Sequence, residues 1–411
     1  MKRVPRQSAR VNWRLGQPLL PDHFLTQEAV LRREFHERFS ANAVPAWGLA
    51  SLRVDGFQLV RGVLSVQELM LMSEGGVLVD VPGNCAPLTF NLASVGEVNV
   101  TVYLQMFGDN VVVEGEGQDP VERAMVRAAL ASEPFADGVV ESFRLAEFEL
   151  SPEGTWSFAA KYLPPALHVT KIPHYDDVLS RLELFSRSLM RVLEDELHEE
   201  YLAAEAESSA SDAYREALYF AAFLTNMKGD YHPHPFDLHR ELQRLATQLS
   251  IFRAVAVPEL RPYLHDDPAA SVLPLVSRLE ELLQMPRSPT AYAPFRPQAG
   301  LLVCELPKEV RRARTVYLLI QKPHVSTKLE LQRTKLAAKS RIQLIHEKAL
   351  RGISFEPLER PPFHHTFTST VDFFTIGSGE EWDHAIRDSA VALFDEPALD
   401  GCRLFVHWRA D

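Results

Sequence analysis

Three histidines stand close together in this chain, His232, His234 and His239, with Asp237 among them. Imidazoles separated by one residue, with a third and a carboxylate nearby, are donor types that hold a metal ion. Pro233 and Pro235 flank His234 and restrict its backbone, and no cysteine joins the set. The same residues therefore also read as the entry loop of a helix with Pro235 in its first turn. His364-His365, behind Pro361-Pro362, is an adjacent pair of the same kind. Signatures of catalysis are missing: there is no Gly-x-Ser-x-Gly elbow, no Gly-x-x-x-x-Gly-Lys-[Ser/Thr] loop and no His-Glu-x-x-His. Glu114-Gly115-Glu116-Gly117 is too acidic to cradle a phosphate. Paired catalytic carboxylates need no local spacing, but nothing else points to them. The sequence reads as a non-enzyme with no catalytic residue, metal or cofactor to name.

Composition narrows the function further. Over 411 residues the net charge is -12, which disfavours nucleic-acid binding by the chain as a whole. Cys85, Cys304 and Cys402 lie far apart and suit neither a disulfide framework nor a zinc site. That usage fits a reducing cytoplasm. Lys2, Arg3, Arg6 and Arg10 precede no apolar core of signal-peptide length. No stretch approaches the roughly 20 apolar residues of a membrane span, so membrane contact is expected only through a partner.

The elements that must position any site fall into three zones. Over 1–172 the chain reads as a β-sandwich behind an N-terminal arm. Val98, Val100, Val102, Leu104 and Met106 alternate with polar residues, the period of a half-buried strand. Phe57–Val60, Leu69–Met72, Phe143–Leu150 and Trp156–Phe158 are further strand candidates, and 121–131 reads as a short helix. Gly75-Gly76 reads as a hairpin turn. Over 173–290 apolar residues recur at spacings of three and four: Val178, Leu182, Phe185, Leu189; Leu238, Leu242, Leu245, Leu249; Val272, Val276, Leu279. That pattern predicts an antiparallel helical bundle, with Glu199–Asp212 as a solvated loop. Pro286, Pro289, Pro294 and Pro297 predict an extended linker over 291–299. Residues 300–411 then read as a small α+β domain, giving a multidomain α+β fold.

Charge is uneven in the last zone. From Lys308 to Arg351 twelve Lys and Arg face three acids, and a basic helix is expected over 326–350. The acidic residues after Gly352 can neutralise that helix within one domain. Alternatively Arg333, Lys335, Lys339 and Arg341 form a docking face for an acidic partner. Nucleic-acid binding through 308–351 is the weaker reading, because interleaved aromatics are missing.

Residues 11–24 are the most telling segment. Trp13, Leu19, Leu20 and Phe24 are too apolar for a free tail, Gly16 and Pro18 keep it turned or extended, and Asp22 suits an N-cap. The helix that follows carries Phe24, Leu31, Phe35 and Phe39 on one face. Phe24 is expected to close the β-domain, and Trp13 to anchor an interface.

Trp13, Gly16 and Leu19-Leu20-Pro21-Asp22-His23-Phe24 resemble the N-terminal signature of the TssK family, baseplate subunits of bacterial type VI secretion systems. Asp22 replaces that family's Gln. Pro45-Ala46-Trp47-Gly48, Asp55-Gly56, Phe373-Phe374, Trp382 and Ala390-Val391-Ala392-Leu393 extend the resemblance over nearly the whole chain. It implies a shoulder, neck and head matching the three zones, and a cytoplasmic homotrimer. It also implies a structural adaptor whose shoulder meets the TssF–TssG wedge, here through Trp13, Leu20, Pro21, His23 and Phe24. The head would meet the cytoplasmic parts of TssL and TssM, which makes the basic face its candidate contact. A phage-type receptor-binding or tail-fibre protein, whose shoulder and neck that family resembles, and a nucleic-acid-binding regulator are the alternatives.

Overall fold

The computed structural model describes residues 9–41, 44–113, 122–199, 204–285, 292–329, 331–359, 361 and 367–409. Contacts gather the chain into two compact units: Met1–Ser188 with Ala217–Leu249 and Val257–Leu283, and Leu189–Glu216 with Ser250–Ala256 and Gln284–Asp411.

The first unit opens with helix α1, Pro21–Ser40, and continues through β1 (Gly48–Val54), α2 (Gly56–Val60), β2 (Val63–Met72), β3 (Leu78–Val81) and β4 (Leu88–Asn91). Then come β5 (Asn99–Val113), β6 (Arg123–Ala131), β7 (Val139–Leu150) and β8 (Trp156–Phe158). These strands make two four-stranded sheets. One has the order β1-β2-β3 with β4 also on β2; the other runs β6-β5-β7-β8. Every pairing is antiparallel. The period-2 expectation holds in β5, where Val100, Val102, Leu104 and Met106 are buried. The polar Gln105 is buried too, and donates to the Glu133 carbonyl at 2.8 Å.

Two local expectations fail. Residues 57–60 form α2 and not a strand, because Asp55 Oδ1 accepts the Phe57 and Gln58 N–H groups at 3.0 and 3.1 Å and caps a helix. Residues 123–131 form strand β6 and not a helix. Pairing with β5 overrides the helix preference of an Ala-rich stretch.

The segment after β8 runs back along β1. Leu49 N–H donates to the Pro165 carbonyl, and Leu167 N–H to the Leu49 carbonyl. Gly48 permits this approach: its φ is +114°, and a Cβ there would sit 2.7 Å from the Pro165 carbonyl carbon and oxygen.

Four helices follow: α3 (Asp176–Glu199), α4 (Ala204–Asn226), α5 (Pro235–Phe252) and α6 (Pro268–Gln284). The predicted seams are their buried faces, including Leu182, Leu242, Leu245, Val276 and Leu279. Arg181 of α3 grips Glu280 of α6 through Nε and Nη2 at 3.0 and 2.8 Å. The expected loop over 199–212 is instead largely the first turns of α4, as its Ala and Glu content favours.

The second unit carries β9 (Tyr292–Pro294), β10 (Arg296–Gln298), β11 (Leu301–Glu305), β12 (Thr315–Gln321), β13 (Ala337–Ala338) and α7 (Ile342–Glu347). It ends with β14 (Phe355–Leu358), β15 (Val371–Ile376), α8 (Glu380–Asp388), β16 (Ala390–Phe394) and β17 (Arg403–Arg409). Its sheets run β10-β11-β16-β13 and β14-β15-β12-β17-β9. Cys304, Leu318, Ile320, Leu336, Val391, Leu393 and Val406 lie in its main core. Burial pushes the Cys304 thiol up to about 12, which suits a packing role.

Here too the structure corrects the sequence reading. Pro294 and Pro297 lie in β9 and β10, both edge strands, where a missing N–H is tolerated. The described part of the expected linker is thus sheet; residues 286–291, with Pro286 and Pro289, lie outside the described residues. The basic helix over 326–350 is replaced by β13 and the six-residue α7. Leu336, Ala337 and Ala338 are fully buried, and β13 pairs with β16.

Candidate protein interface

Helix α1 begins two residues earlier than its sequence suggests. Leu20 takes the cap position with extended backbone, Pro21 is the first helical residue, and Asp22 sits in the first turn. A carboxylate there still favours the positive end of the helix dipole. His23 is a bracket, not a free contact: its Nδ1 accepts the Leu20 N–H at 3.3 Å, and its Nε2 lies 3.2 Å from Gln17 Nε2.

The arm folds back onto α1 itself. Trp13 Nε1 donates to Gln27 Oε1 at 3.2 Å, and its ring meets those of His23 and Phe24, each at 5.7 Å. Arg10 reaches Glu34 at 3.0 Å. The expectation that Phe24 closes the β-domain does not hold. Val30 is the buried residue of α1, while Phe24, Leu31, Phe35 and Phe39 are 52, 42, 57 and 55% exposed. Leu20 and Trp13 are open to a similar degree. The predicted apolar stripe therefore exists, and it faces outward.

Beside this stripe lies a cleft of about 750 Å³. Phe35 and Phe39 of α1 form one wall, Met72 and Leu78 another, and Tyr231, His232 and His234 part of the rest. His232 and His234 thus line this cleft, while His239 is buried within α5 and does not. Thr170 Oγ1 is 2.8 Å from His232 Nδ1. His234 stacks on His265 at 5.2 Å, and His239 lies against the Tyr263 ring at 5.8 Å. His265 Nε2 donates to the Trp47 carbonyl at 2.9 Å. Burial, then the neighbouring His265, push His234 down to about 4, against the pull of the Pro45 carbonyl. Among the described residues no three His, Cys, Asp or Glu side chains are grouped to hold a metal. His364 and His365 lie outside the described residues. His168, His174, His265 and Tyr263 escaped the sequence reading because they come from separate segments with no spacing signal.

In the second unit, two of the four cations of the expected docking face serve the fold. Arg341 forms a bidentate pair with Glu381, and Lys335 Nζ donates to the Ile345 carbonyl at 3.2 Å. Arg333 and Lys339 make no ion pair among the described residues.

The profile of a family described as bacterial type VI secretion, VC_A0110, EvfL, ImpJ and VasE matches residues 23–111 and 109–407. The chain belongs to this family, the VasE/TssK family of type VI secretion. A curated TssK relative, the type VI secretion system baseplate component TssK1 of Pseudomonas aeruginosa, is 26% identical over 313 residues, covering 67% of this chain and 68% of the relative. A crystal structure of TssK matches 98% of this chain and 100% of its own, with a TM-score of 0.60 at 18% identity. A chain of a TssK-TssF-TssG baseplate subcomplex matches 67% of this chain and 99% of its own, with a TM-score of 0.56 at 20% identity. The fold is the mixed α+β fold of TssK structures, as the arm motif implied. The TssK family is a structural baseplate family, and in this member no helix among the described residues is long and apolar enough to cross a membrane.

Proposed function

We propose that this TssK-family chain is a structural adaptor of the type VI baseplate, working in the cytoplasm as a homotrimer. In this reading residues 1–172 are the shoulder that meets a TssF–TssG wedge, and 173–290 are the neck. The head begins with β9 and meets the cytoplasmic parts of TssL and TssM. The carrying observation is the outward stripe of α1, with Leu20, Phe24, Leu31, Phe35 and Phe39 exposed beside Trp13. Burying apolar surface is worth about 25 cal/mol per Å², and contiguous apolar patches of this kind mark interaction sites. Trp13 Nε1 is already satisfied by Gln27, so its ring can be covered without stranding a donor. A relative seen in a TssK-TssF-TssG subcomplex supports the choice of partner.

The test is co-purification of the wild-type chain with TssF and TssG, beside a Phe24→Asp/Phe35→Asp variant, with solution mass measured for both. The proposal expects a trimer that holds the wedge, and a variant of native circular dichroism that loses it. A wedge retained in full by the variant would overturn the assignment of α1, and a monomeric wild type would overturn the trimer.

A further inference from the structure

Helix α5 is capped by an imidazole. Its first residue, Pro235, has no N–H, so the Phe236 N–H is the first donor at that end. His234 Nδ1 accepts it at 3.0 Å, and the His234 carbonyl accepts the Asp237 N–H at 2.8 Å, which starts the helix. Side-chain oxygens ordinarily take this place. An imidazole nitrogen fills it only in the neutral ring, whose proton is then on Nε2. A second proton must go to Nδ1, where it meets a backbone N–H that cannot turn away and the positive end of a helix dipole.

The same ring stacks on His265 at 5.2 Å, with the two planes 20° apart. His265 lies in the loop before α6. Its Nε2 donates to the Trp47 carbonyl at 2.9 Å, which leaves Nδ1 to accept from the Tyr263 hydroxyl at 3.0 Å. Its ring also meets the Trp47 indole edge to face at 4.6 Å. Both histidines are only 8% exposed. The stack therefore joins three segments remote in sequence: the stretch that leads into β1, the entry of α5 and the entry of α6. Neutral rings stack, whereas two imidazoliums at this separation repel.

The surroundings do little to support a second charge. Burial, ahead of every other cause, holds both rings below the ordinary imidazole range, His234 at about 4. His265 and His168 oppose a charge on His234, and the Pro45 carbonyl favours it. The Trp47 carbonyl and Asp266 favour a charge on His265 without prevailing over burial. Lys171 adds its positive charge beside His168. Asp237, in the first turn of α5, faces Arg240 at 3.4 Å. From α1, Arg32 and His36 line the same cleft as His234. Tyr263 lies between His234 and His239, at 6.0 and 5.8 Å.

We infer that the His234–His265 stack is an acid-operated latch: protonation breaks the α5 cap and the stack together and frees the Trp47 segment from the entries of α5 and α6, while the β-sheets stay folded. Released imidazoles titrate near 6.5, so the open latch binds protons that the closed one refuses. The latch is thus fully closed above pH 6.5 and opens as pH falls towards 4, each ring favouring opening by up to about tenfold per pH unit.

The test is hydrogen exchange of the full chain by mass spectrometry between pH 7 and pH 4.5, with the intrinsic pH dependence of exchange divided out. Peptides covering 44–50, 234–240 and 262–268 are expected to lose protection together, by about tenfold or more between pH 6.5 and pH 5. Peptides of β5 are expected to keep theirs. His234→Asn retains an oxygen cap that does not titrate, and His265→Gln retains a donor for the Trp47 carbonyl. Each is expected to make the pH dependence shallower in all three peptides, and the two together to abolish it. Either single variant serves if the other does not fold. A purely structural role would change protection at pH 7 and leave its pH dependence alone.

Protection indifferent to pH in the wild type overturns the inference. So does loss of protection in β5 over the same range, which makes the event global unfolding. A wild-type pH dependence kept by a folded variant assigns the opening to other groups and overturns it as well.

Discussion

The Arg341 guanidinium clasps the Glu381 carboxylate through Nε at 3.1 and 3.2 Å and through Nη2 at 2.6 Å. The pair joins the residue before α7 to the first turn of α8. The Glu381 carboxylate beside it holds Arg341 above its ordinary pKa. A cation that reads in the sequence as part of a partner-facing surface is therefore a tie between two segments of one unit. Arg341→Ala and Glu381→Ala are each expected to lower the thermal midpoint of residues 292–411. The double variant should lose less than the sum, as required of a coupled pair; calorimetry of the three variants checks this, and strict additivity would refute the tie.

Arg333 and Lys339 are the cations of that face left without an ion pair among the described residues. Arg333→Glu with Lys339→Glu is expected to weaken capture of the TssL and TssM cytoplasmic parts by about tenfold at low salt, and less at high salt. Solution mass should stay as in the wild type. Pull-down at two salt concentrations reads the effect, and equal capture by the variant would remove the basic face from the interface.

His174 makes a pH prediction. It is buried against Phe158 and Tyr162, neither ring nitrogen has a hydrogen-bond partner, and burial drives it down to about 3. The unfolded chain, titrating near 6.5, binds the proton more readily than the fold does. The stability this residue contributes is thus fully present above pH 6.5 and is lost as pH falls towards 3, at up to about 1.4 kcal/mol per pH unit. His174→Phe is expected to flatten the acid limb of the stability–pH curve, measured by urea unfolding between pH 4 and pH 7. An unchanged slope would show that His174 is not the group responsible.

Gly48→Ala should damage the first unit. The φ of +114° and the 2.7 Å approach to the Pro165 carbonyl leave no room for a methyl group. The expected loss is about 2–4 kcal/mol in denaturant unfolding. Gly56→Ala, with no atom within 4 Å of the added carbon, is the matched control and is expected to be mild.

Residues 292–411 should fold when produced alone, since the three clusters that form that region's core draw their buried residues from 292–408. A cooperative thermal transition by circular dichroism is the expected result. Starting the fragment at 300 removes β9 and β10 and should lower its midpoint, because β9 pairs with β17 and β10 with β11.

Much of the local structure was legible in the residues. Alternation marks β5, three-four spacing marks the seams of α3, α5 and α6, and the arm motif announces the family. Each of these signals is local: a side chain's neighbours in sequence decide which face it shares. The places where the reading failed are places where a distant segment decides. Residues 123–131 become a strand because β5 is there to pair with, and Pro297 enters a sheet because its strand lies at an edge. Whether the stripe of Phe24, Leu31, Phe35 and Phe39 closes the unit or stays open cannot be read from periodicity, since both outcomes require the same spacing. Tertiary structure turned it outward, drew His232 and His234 against the loop that holds Thr170 and the one that holds His265, and spent Arg341 on Glu381. The sequence determined which residues share a face; only the packing of segments remote in sequence determined what each face meets.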